Sequence, residues 1–350
     1  RRQRQMCIRD SLYILQKEKE FPFPEKSCMI KVQQNAYCAL KIEGGKNTMR
    51  KFLATLLALV MTLALMVPAS WGENKETYQL PDSLEGKTVI LHTNDVHGAI
   101  DKYAKVAALR DECYDKGAHQ VILLDAGDYS QGSPYVSLSK GATALDMMAL
   151  VGYDVITLGN HTWGKMQITD YLEENRYILR PANFSPRTPG RGCGVYDLGR
   201  VQVAVLCLIG RCDLAWGSDN PFTTADRLLK AGEKPTFTLV DFHAQATSEK
   251  LAMAYYLDGR VSALWGTHTH VPTADERVFP HGTGYITDLG MTGAVESVLG
   301  IRPEQSVETF LGGLPGRYRP AEGPCKAQGA LFTLESSTGL CTAVERVDIR

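Results

Sequence analysis

The sequence has no excess of charge of either sign and no closely paired cysteines. Its 38 Lys and Arg residues against 39 Asp and Glu leave a formal net charge of −1 at pH 7. Proteins that bind a nucleic-acid duplex through its phosphates carry a basic surplus, so we expect no such partner. The nine cysteines include no Cys-x-x-Cys pair, which excludes zinc-finger and thioredoxin-type sites. Disulfide pairing, for example of Cys193 with Cys212, stays open.

Long apolar runs are also scarce, and the most prominent one covers residues 52–67. It follows the basic pair Arg50-Lys51 and precedes small residues, which is the pattern of a secretory signal peptide. The run is shorter than the roughly 20 residues that a membrane span needs. We therefore expect a signal peptide over residues 49–72, no stable membrane span after its cleavage, and an exported protein (periplasmic, cell-surface or secreted). A cytoplasmic location is the alternative.

The first 48 residues show no sustained hydrophobic period. Residues 43–46, Glu-Gly-Gly-Lys, correspond to purine-rich codons typical of a ribosome-binding site ahead of a start at Met49. We interpret residues 1–48 as a non-native or disordered leader. Residues 73–350 contain no low-complexity linker, so we expect them to form a single domain.

Side chains able to bind metal follow five apolar runs, each of which has the composition of a buried strand. The runs cover residues 87–91, 121–124, 153–158, 235–240 and 260–264, and amphipathic segments at 101–116, 142–151 and 246–257 predict helices between them. This alternation predicts an α/β layered fold. Ligands bind at the carboxyl ends of strands in such sheets, so we expect the polar residues there to converge. They are Asp95, His97, Asp128, Asn160, His161, His243, His268 and His270.

A mixture of imidazole, carboxylate and amide ligands favours Mn²⁺, Fe²⁺ or Zn²⁺ over Ca²⁺ or Mg²⁺. Seven ligands with one bridging carboxylate are enough for two divalent ions. Two ions about 3.5–4 Å apart can hold a phosphate, activate a water and neutralise a leaving oxygen.

The motif series Asp-x-His, Gly-Asp, Gly-Asn-His, His and Gly-Thr-His-Thr-His resembles the calcineurin-like metallophosphoesterase superfamily over residues 88–290. The resemblance implies a four-layer α/β sandwich, in which two packed mixed sheets are flanked by helices. It implies that one ion is held by Asp95, His97, Asp128 and His270, and the other by Asp128, Asn160, His243 and His268. His161 would be the catalytic imidazole that protonates the leaving group.

The two halves of this region resemble different branches. Residues 88–160 are similar to secreted bacterial 5′-nucleotidases, whereas residues 159–300 resemble the YmdB-type 2′,3′-cyclic-nucleotide 2′-phosphodiesterases. The join falls inside Gly-Asn-His, so the chain is either a natural hybrid or two merged genes. Both branches usually carry Asp at the position of Gly164, where a carboxylate can orient the catalytic imidazole. Gln245 stands where the cyclic phosphodiesterases have Glu.

The resemblance implies hydrolysis of a nucleotide phosphate ester, with a 2′,3′-cyclic nucleotide as the expected substrate. A 5′-nucleotidase is the alternative within the same enzyme class. A metal-dependent binding or regulatory module with little catalysis is the alternative of another class. Asn183 and Arg211 are the candidate substrate-binding residues, against structural roles as a turn residue before Pro186 and as a strand cap.

Overall fold

A computed structural model describes residues 78–99, 103–130, 132–162, 168–214, 217–231, 234–314 and 316–350. The expected leader over residues 1–48, the expected signal peptide over residues 49–72 and the Gly164 position lie outside these ranges. In the described part of the chain, no helix is long and apolar enough to cross a membrane.

The described residues form two mixed β-sheets. The strands are, in chain order, β1 (Thr88–Thr93), β2 (Gln120–Asp125), β3 (Val155–Thr157), β4 (Ile178–Leu179), β5 (Cys193–Asp197), β6 (Gln202–Ile209), β7 (Phe237–His243), β8 (Ala263–Thr267), β9 (Arg277–Val278), β10 (Gly284–Ile286), β11 (Thr292–Ala294), β12 (Cys325–Glu335) and β13 (Leu340–Ile349). One sheet has the order β11-β12-β1-β2-β3-β4, with β13 also paired to β12, and the other has the order β5-β6-β7-β8-β10-β9.

Helices lie between the strands along the chain. They are α1 (Tyr103–Asp115), α2 (Pro134–Leu138), α3 (Ala142–Val151), α4 (Ile168–Glu174), α5 (Pro221–Leu229), α6 (Thr247–Leu257) and α7 (Pro303–Phe310). Strands β1 to β4 run parallel to one another, as do β6, β7, β8 and β10. The alternation of strands and helices therefore produces parallel sheet segments, as the sequence predicts.

The main hydrophobic core lies between the two sheets. Ile90 and Phe332 from the first sheet pack in one buried cluster with Val205 and Trp265 from the second. Every residue of β1 and of β7 is buried, because helices cover the outer faces of both sheets. The predicted fold, two packed mixed sheets flanked by helices, is confirmed.

The predicted bounds of the strand before His268 are wrong. The strand expected over residues 260–264 is Ala263–Thr267, because Gly259 has a positive φ of 76° and the Arg260 amide donates to the Leu257 carbonyl in a turn. The error concerns the residues that lead into the predicted site.

The six cysteines in the described part of the chain are all free thiols. Cys207 on β6 is fully buried in the core between the sheets, as expected for a small apolar residue.

Candidate metal centre

The loops that follow β1 and β2 continue the pairing of these two parallel strands. Thr93 lies opposite Asp125 in the strand register. Beyond it, the Asp95 amide donates to the Gly127 carbonyl at 3.0 Å, and the His97 amide donates to the Asp128 carbonyl at 3.0 Å. Three predicted metal ligands from two loops are therefore held side by side by the backbone.

The second sheet presents its ligands in the same way. His243 is the last residue of β7 and lies opposite Thr267, the last residue of β8. His268 follows immediately. The carboxyl ends of the parallel strands in both sheets thus face one site, as expected for an α/β sheet.

The predicted ligands form two groups in the structure. Asp95, His97 and His270 make up one group, and Asp128, His243 and His268 make up the other; within each group the ligand atoms all lie within 4.8 Å of one another. Asn160 joins the second group, because its Oδ1 lies 2.7 Å from His243 Nε2 and 3.0 Å from His268 Nδ1. The structure therefore brings all seven predicted ligands together.

The atoms of these groups fit a divalent cation. His243 Nε2, His268 Nδ1 and Asn160 Oδ1 approach one another within 2.7–3.1 Å, although each can offer a lone pair. Asp95 Oδ1 and Asp128 Oδ2 are buried and have no hydrogen-bond partner among the described residues. A cation between these atoms would satisfy all of them, which is the usual reason for a cluster of buried acceptors.

Burial keeps two of the ligand imidazoles neutral. It lowers the pKa of His243 well below its usual range and lowers that of His268 to about 4. Neutral imidazole is the form that binds metal. Burial also raises the pKa of Asp128, and repulsion from Asp95 adds to the effect. At Asp95 burial again favours the neutral acid, but the neighbouring His270, 3.5 Å away, outweighs it and holds the pKa well below its usual range.

Neighbouring groups orient the ligand side chains. His243 Nδ1 lies 2.9 Å from the Thr267 hydroxyl, which directs Nε2 toward the site. His270 Nδ1 donates to the Leu299 carbonyl at 3.3 Å. A methyl group added at Gly159 would lie 2.4 Å from Asp128 Oδ1 and 2.7 Å from His243 Cε1, so only glycine fits before Asn160.

Five of the predicted ligands have positive φ angles. They are Asp95 (47°), His97 (44°), Asp128 (52°), His268 (100°) and His270 (62°). Few non-glycine residues adopt this conformation, and those that do cluster at functional sites, where the surrounding structure holds them in place. These strained backbone conformations therefore coincide with the predicted metal site.

His161 lies at the exposed edge of the site. Its ring is 5.3 Å from that of His97, and its backbone amide donates to Asp128 Oδ1 at 2.8 Å. The Thr162 amide donates to the same oxygen at 3.2 Å. Asp128 therefore fixes the backbone that carries the predicted catalytic imidazole.

The two candidate substrate residues lie in different environments. Asn183 is buried; its amide nitrogen donates to the carbonyls of Ile209 and Asp219, and its oxygen accepts from the Ile209 amide. These bonds anchor the loop after β4 to the end of β6. Arg211 is exposed, and its backbone amide donates to the Glu249 carboxylate. Substrate contact by Asn183 and Arg211 stays a prediction.

Residues that orient the ligands were missed by the sequence analysis. Thr267 lies inside the Gly-Thr-His-Thr-His motif, and its position just before a ligand was the available signal. The buried pair Lys250 and Asp288 lies behind the same motif. Lys250 lies in the segment 246–257 that is predicted to be a helix, but no periodicity there reveals that this lysine is buried.

Comparison with known proteins places this site in a family. The family profile of the YmdB-like protein matches residues 137–347. The chain is 43% identical over 211 residues to the 2′,3′-cyclic-nucleotide 2′-phosphodiesterase of Bacillus subtilis, covering 59% of this chain and 80% of that protein. It is 30% identical over 133 residues to the 5′-nucleotidase of Rattus norvegicus, covering 31% of this chain and 22% of that one.

A crystal structure of a novel phosphatase from Mycoplasma pneumoniae shares the fold. It superposes with a TM-score of 0.64 at 28% identity and covers 75% of this chain and 93% of the phosphatase. The shared fold and the profile match over more than half of the sequence agree with the mixed resemblance that the motifs indicate. The chain belongs to the YmdB-like family.

Proposed function

We propose that the protein is a phosphoesterase that uses two divalent ions, Mn²⁺, Fe²⁺ or Zn²⁺, to hydrolyse a 2′,3′-cyclic nucleotide. The observation that carries the proposal is the pair of ligand groups at the joined strand ends, Asp95 with His97 and His270, and Asp128 with His243 and His268. The identity to the Bacillus subtilis phosphodiesterase supports the choice of substrate.

When bound, the two ions would polarise the phosphate and activate the attacking water. Asp95, His97 and His270 would hold one ion, and Asn160, His243 and His268 the other, with Asp128 shared between them. The Asp128 carboxylate also accepts hydrogen bonds from the His161 and Thr162 amides. This contact holds the His161 backbone beside a carboxylate that would bind an ion.

His161 would supply the proton for the leaving oxygen. Hydrolysis adds water at phosphorus, breaks the bond to the 2′ oxygen and leaves a 3′-phosphomonoester, and the 2′ oxygen must then gain a proton. The exposed edge position of His161, beside the His97 ring, supports this role.

A 5′-nucleotidase is the second candidate, supported by the partial identity to the rat enzyme. The two reactions need the same metal centre but different contacts to the sugar and base. A metal-dependent binding module with little catalysis is supported by Gly164, which stands where the resembling families usually carry Asp.

The test is hydrolysis by the purified chain with Mn²⁺, comparing 2′,3′-cyclic AMP with 5′-AMP and using a chelator as the blank. We expect a preference for the cyclic diester. His268→Asn should lower turnover by more than the ~10–100-fold that loss of a ligand's hydrogen-bond partner costs. The exposed His281, changed to Asn, is the matched control.

Preference for 5′-AMP would replace the proposal with the nucleotidase function. Binding of two ions without chelator-sensitive turnover of either substrate would favour the binding module.

We also propose that the protein is exported and that residues 73–350 form one catalytic domain, with residues 1–48 outside it. The signal-peptide pattern over residues 49–72 supports export. Signal cleavage, read from the amino terminus of the protein recovered from the expressing cells, tests this proposal.

A further inference from the structure

Lys250 is a buried lysine in the layer directly behind the metal centre. It lies on α6, is fully buried, and its Nζ donates to Asp288 Oδ2 at 2.7 Å. Its stem packs under β8, because a methyl group added at Gly266 would lie 2.6 Å from Lys250 Cδ. Removing two charges from water is costly, and an apolar pair of similar volume is often as stable. Stability alone therefore gives little reason for this pair.

The Asp288 carboxylate makes two further contacts, both to backbone. Oδ2 accepts from the Thr269 amide at 3.2 Å, and Oδ1 accepts from the Gly290 amide at 3.0 Å. Thr269 stands between His268 and His270, whose φ angles are 100° and 62°. One carboxylate thus holds the single residue that joins two ligands in a strained conformation.

These two histidines serve different groups. His268 belongs with Asp128 and His243, whereas His270 belongs with Asp95 and His97. A shift of the Thr269 peptide would move one ligand of each group at once. The distance between the two groups depends on this peptide.

The same carboxylate is connected to Asp95. Asp288 holds the Gly290 amide, and the Gly290 carbonyl accepts a hydrogen bond from Asn94 Nδ2. The Asn94 carbonyl in turn accepts from the Thr292 amide at 3.0 Å. Asn94 Nδ2 also donates to Asp95 Oδ2 at 3.3 Å. The contacts therefore reach from α6 through Asp288 to ligands in both sheets.

We propose that Lys250 and Asp288 are positioning residues that set the spacing of the two metal subsites, by holding the Thr269 peptide between His268 and His270. Lys250 Nζ donates to the Asp288 carboxylate, whose two oxygens also accept from the Thr269 and Gly290 amides. The inference rests on the dinuclear centre of the proposed function.

The test compares Asp288→Asn, which keeps the shape of the side chain, and the neutral double variant Lys250→Met/Asp288→Asn with the wild type. The matched control is Arg260→Met/Asp226→Asn, which likewise neutralises both members of an ion pair, here a partly exposed one. Mn²⁺ affinity and stoichiometry are measured by titration calorimetry, and the coupling between the two ions by electron paramagnetic resonance. Thermal melts of the metal-free proteins report on folding.

We expect the wild type and the control to bind two coupled Mn²⁺ ions. At least one test variant should melt cooperatively yet bind Mn²⁺ about 10–100-fold more weakly and lose the coupled signal. Retention of affinity and coupling in the test variants would overturn the inference, and so would failure of both to fold, since the pair would then serve stability alone. Absence of two bound ions in the wild type would instead refute the proposed function.

Discussion

His92 on β1 is a buried histidine whose charge we expect to control stability in acid. Its ring stacks on Trp265, with ring centroids 5.5 Å apart, and Phe332 lies 6.1 Å away. Its Nε2 accepts a hydrogen bond from the Ala330 amide at 3.4 Å, so it carries no proton there. Burial lowers the pKa of His92 from 6.5 to about 3.

The size and sign of the effect follow from the two pKa values. The folded state holds His92 neutral, while the unfolded chain takes up a proton below about pH 6.5. The part of the unfolding free energy that depends on neutral His92 is complete above that pH and is lost as the pH falls from 6.5 toward 3. The full difference between the two pKa values corresponds to about 5 kcal/mol of unfolding free energy, of which about 2 kcal/mol is lost between pH 7 and pH 5.

The assay is urea unfolding of wild type and His92→Phe at pH 7 and pH 5, with chelator present. Any packing cost of the larger ring occurs at both pH values and cancels in the comparison. The contributions of other groups that titrate in both proteins cancel as well. We expect the free energy of unfolding to fall by about 2 kcal/mol more in the wild type than in the variant. An equal fall in both proteins would refute the reasoning, because His92 would then titrate alike in both states.

Three further substitutions test the centre itself. Gly159→Ala should abolish Mn²⁺ binding because its methyl group would collide with Asp128 and His243. The control Gly316→Ala should bind Mn²⁺ normally, because the atom nearest to its methyl group is 3.8 Å away. Equal binding by both variants would contradict this prediction. Thr267→Val should weaken Mn²⁺ binding about 10–100-fold, and Thr267→Ser should restore it; an unchanged dissociation constant for the valine variant would exclude the orienting role. Gly164→Asp should raise kcat with little change in Mn²⁺ affinity, since the resemblance implies that an Asp at this position can orient the catalytic imidazole. An unchanged kcat would favour the binding module.

The convergence of the candidate ligands could be predicted from the sequence because each lies at, or just beyond, the carboxyl end of a buried parallel strand. The apolar run that precedes Asn160, for example, marks both the strand and its end. Parallel strands bring their carboxyl ends to one edge, so a local pattern becomes a spatial one. The packing of two such sheets then brings Asp95 near His270, a contact that their separation along the sequence does not predict.

The orienting contacts could not be predicted in this way. Lys250 lies on a helix that also carries exposed residues, and only the packing of α6 against β8 shows that its charge is buried. The start of β8 was misplaced because the turn at Gly259 is followed by apolar residues that do not distinguish turn from strand. The contacts of Asn183 to the backbone could not be predicted either, because they depend on where β6 ends relative to the loop after β4.

The strained ligand loops explain why so much rigid structure surrounds this site. His268 and His270 adopt positive φ angles, and each such residue costs about 1–3 kcal/mol. The loops are held by bonds that lie outside the ligand set: backbone pairing beyond β1 and β2, the Thr267 hydroxyl, and the Asp288 carboxylate. A bound cation would relieve the repulsion between buried acceptors, but it would not by itself favour these backbone angles. The geometry of the centre therefore depends on the sheets and the buried ion pair before any metal binds.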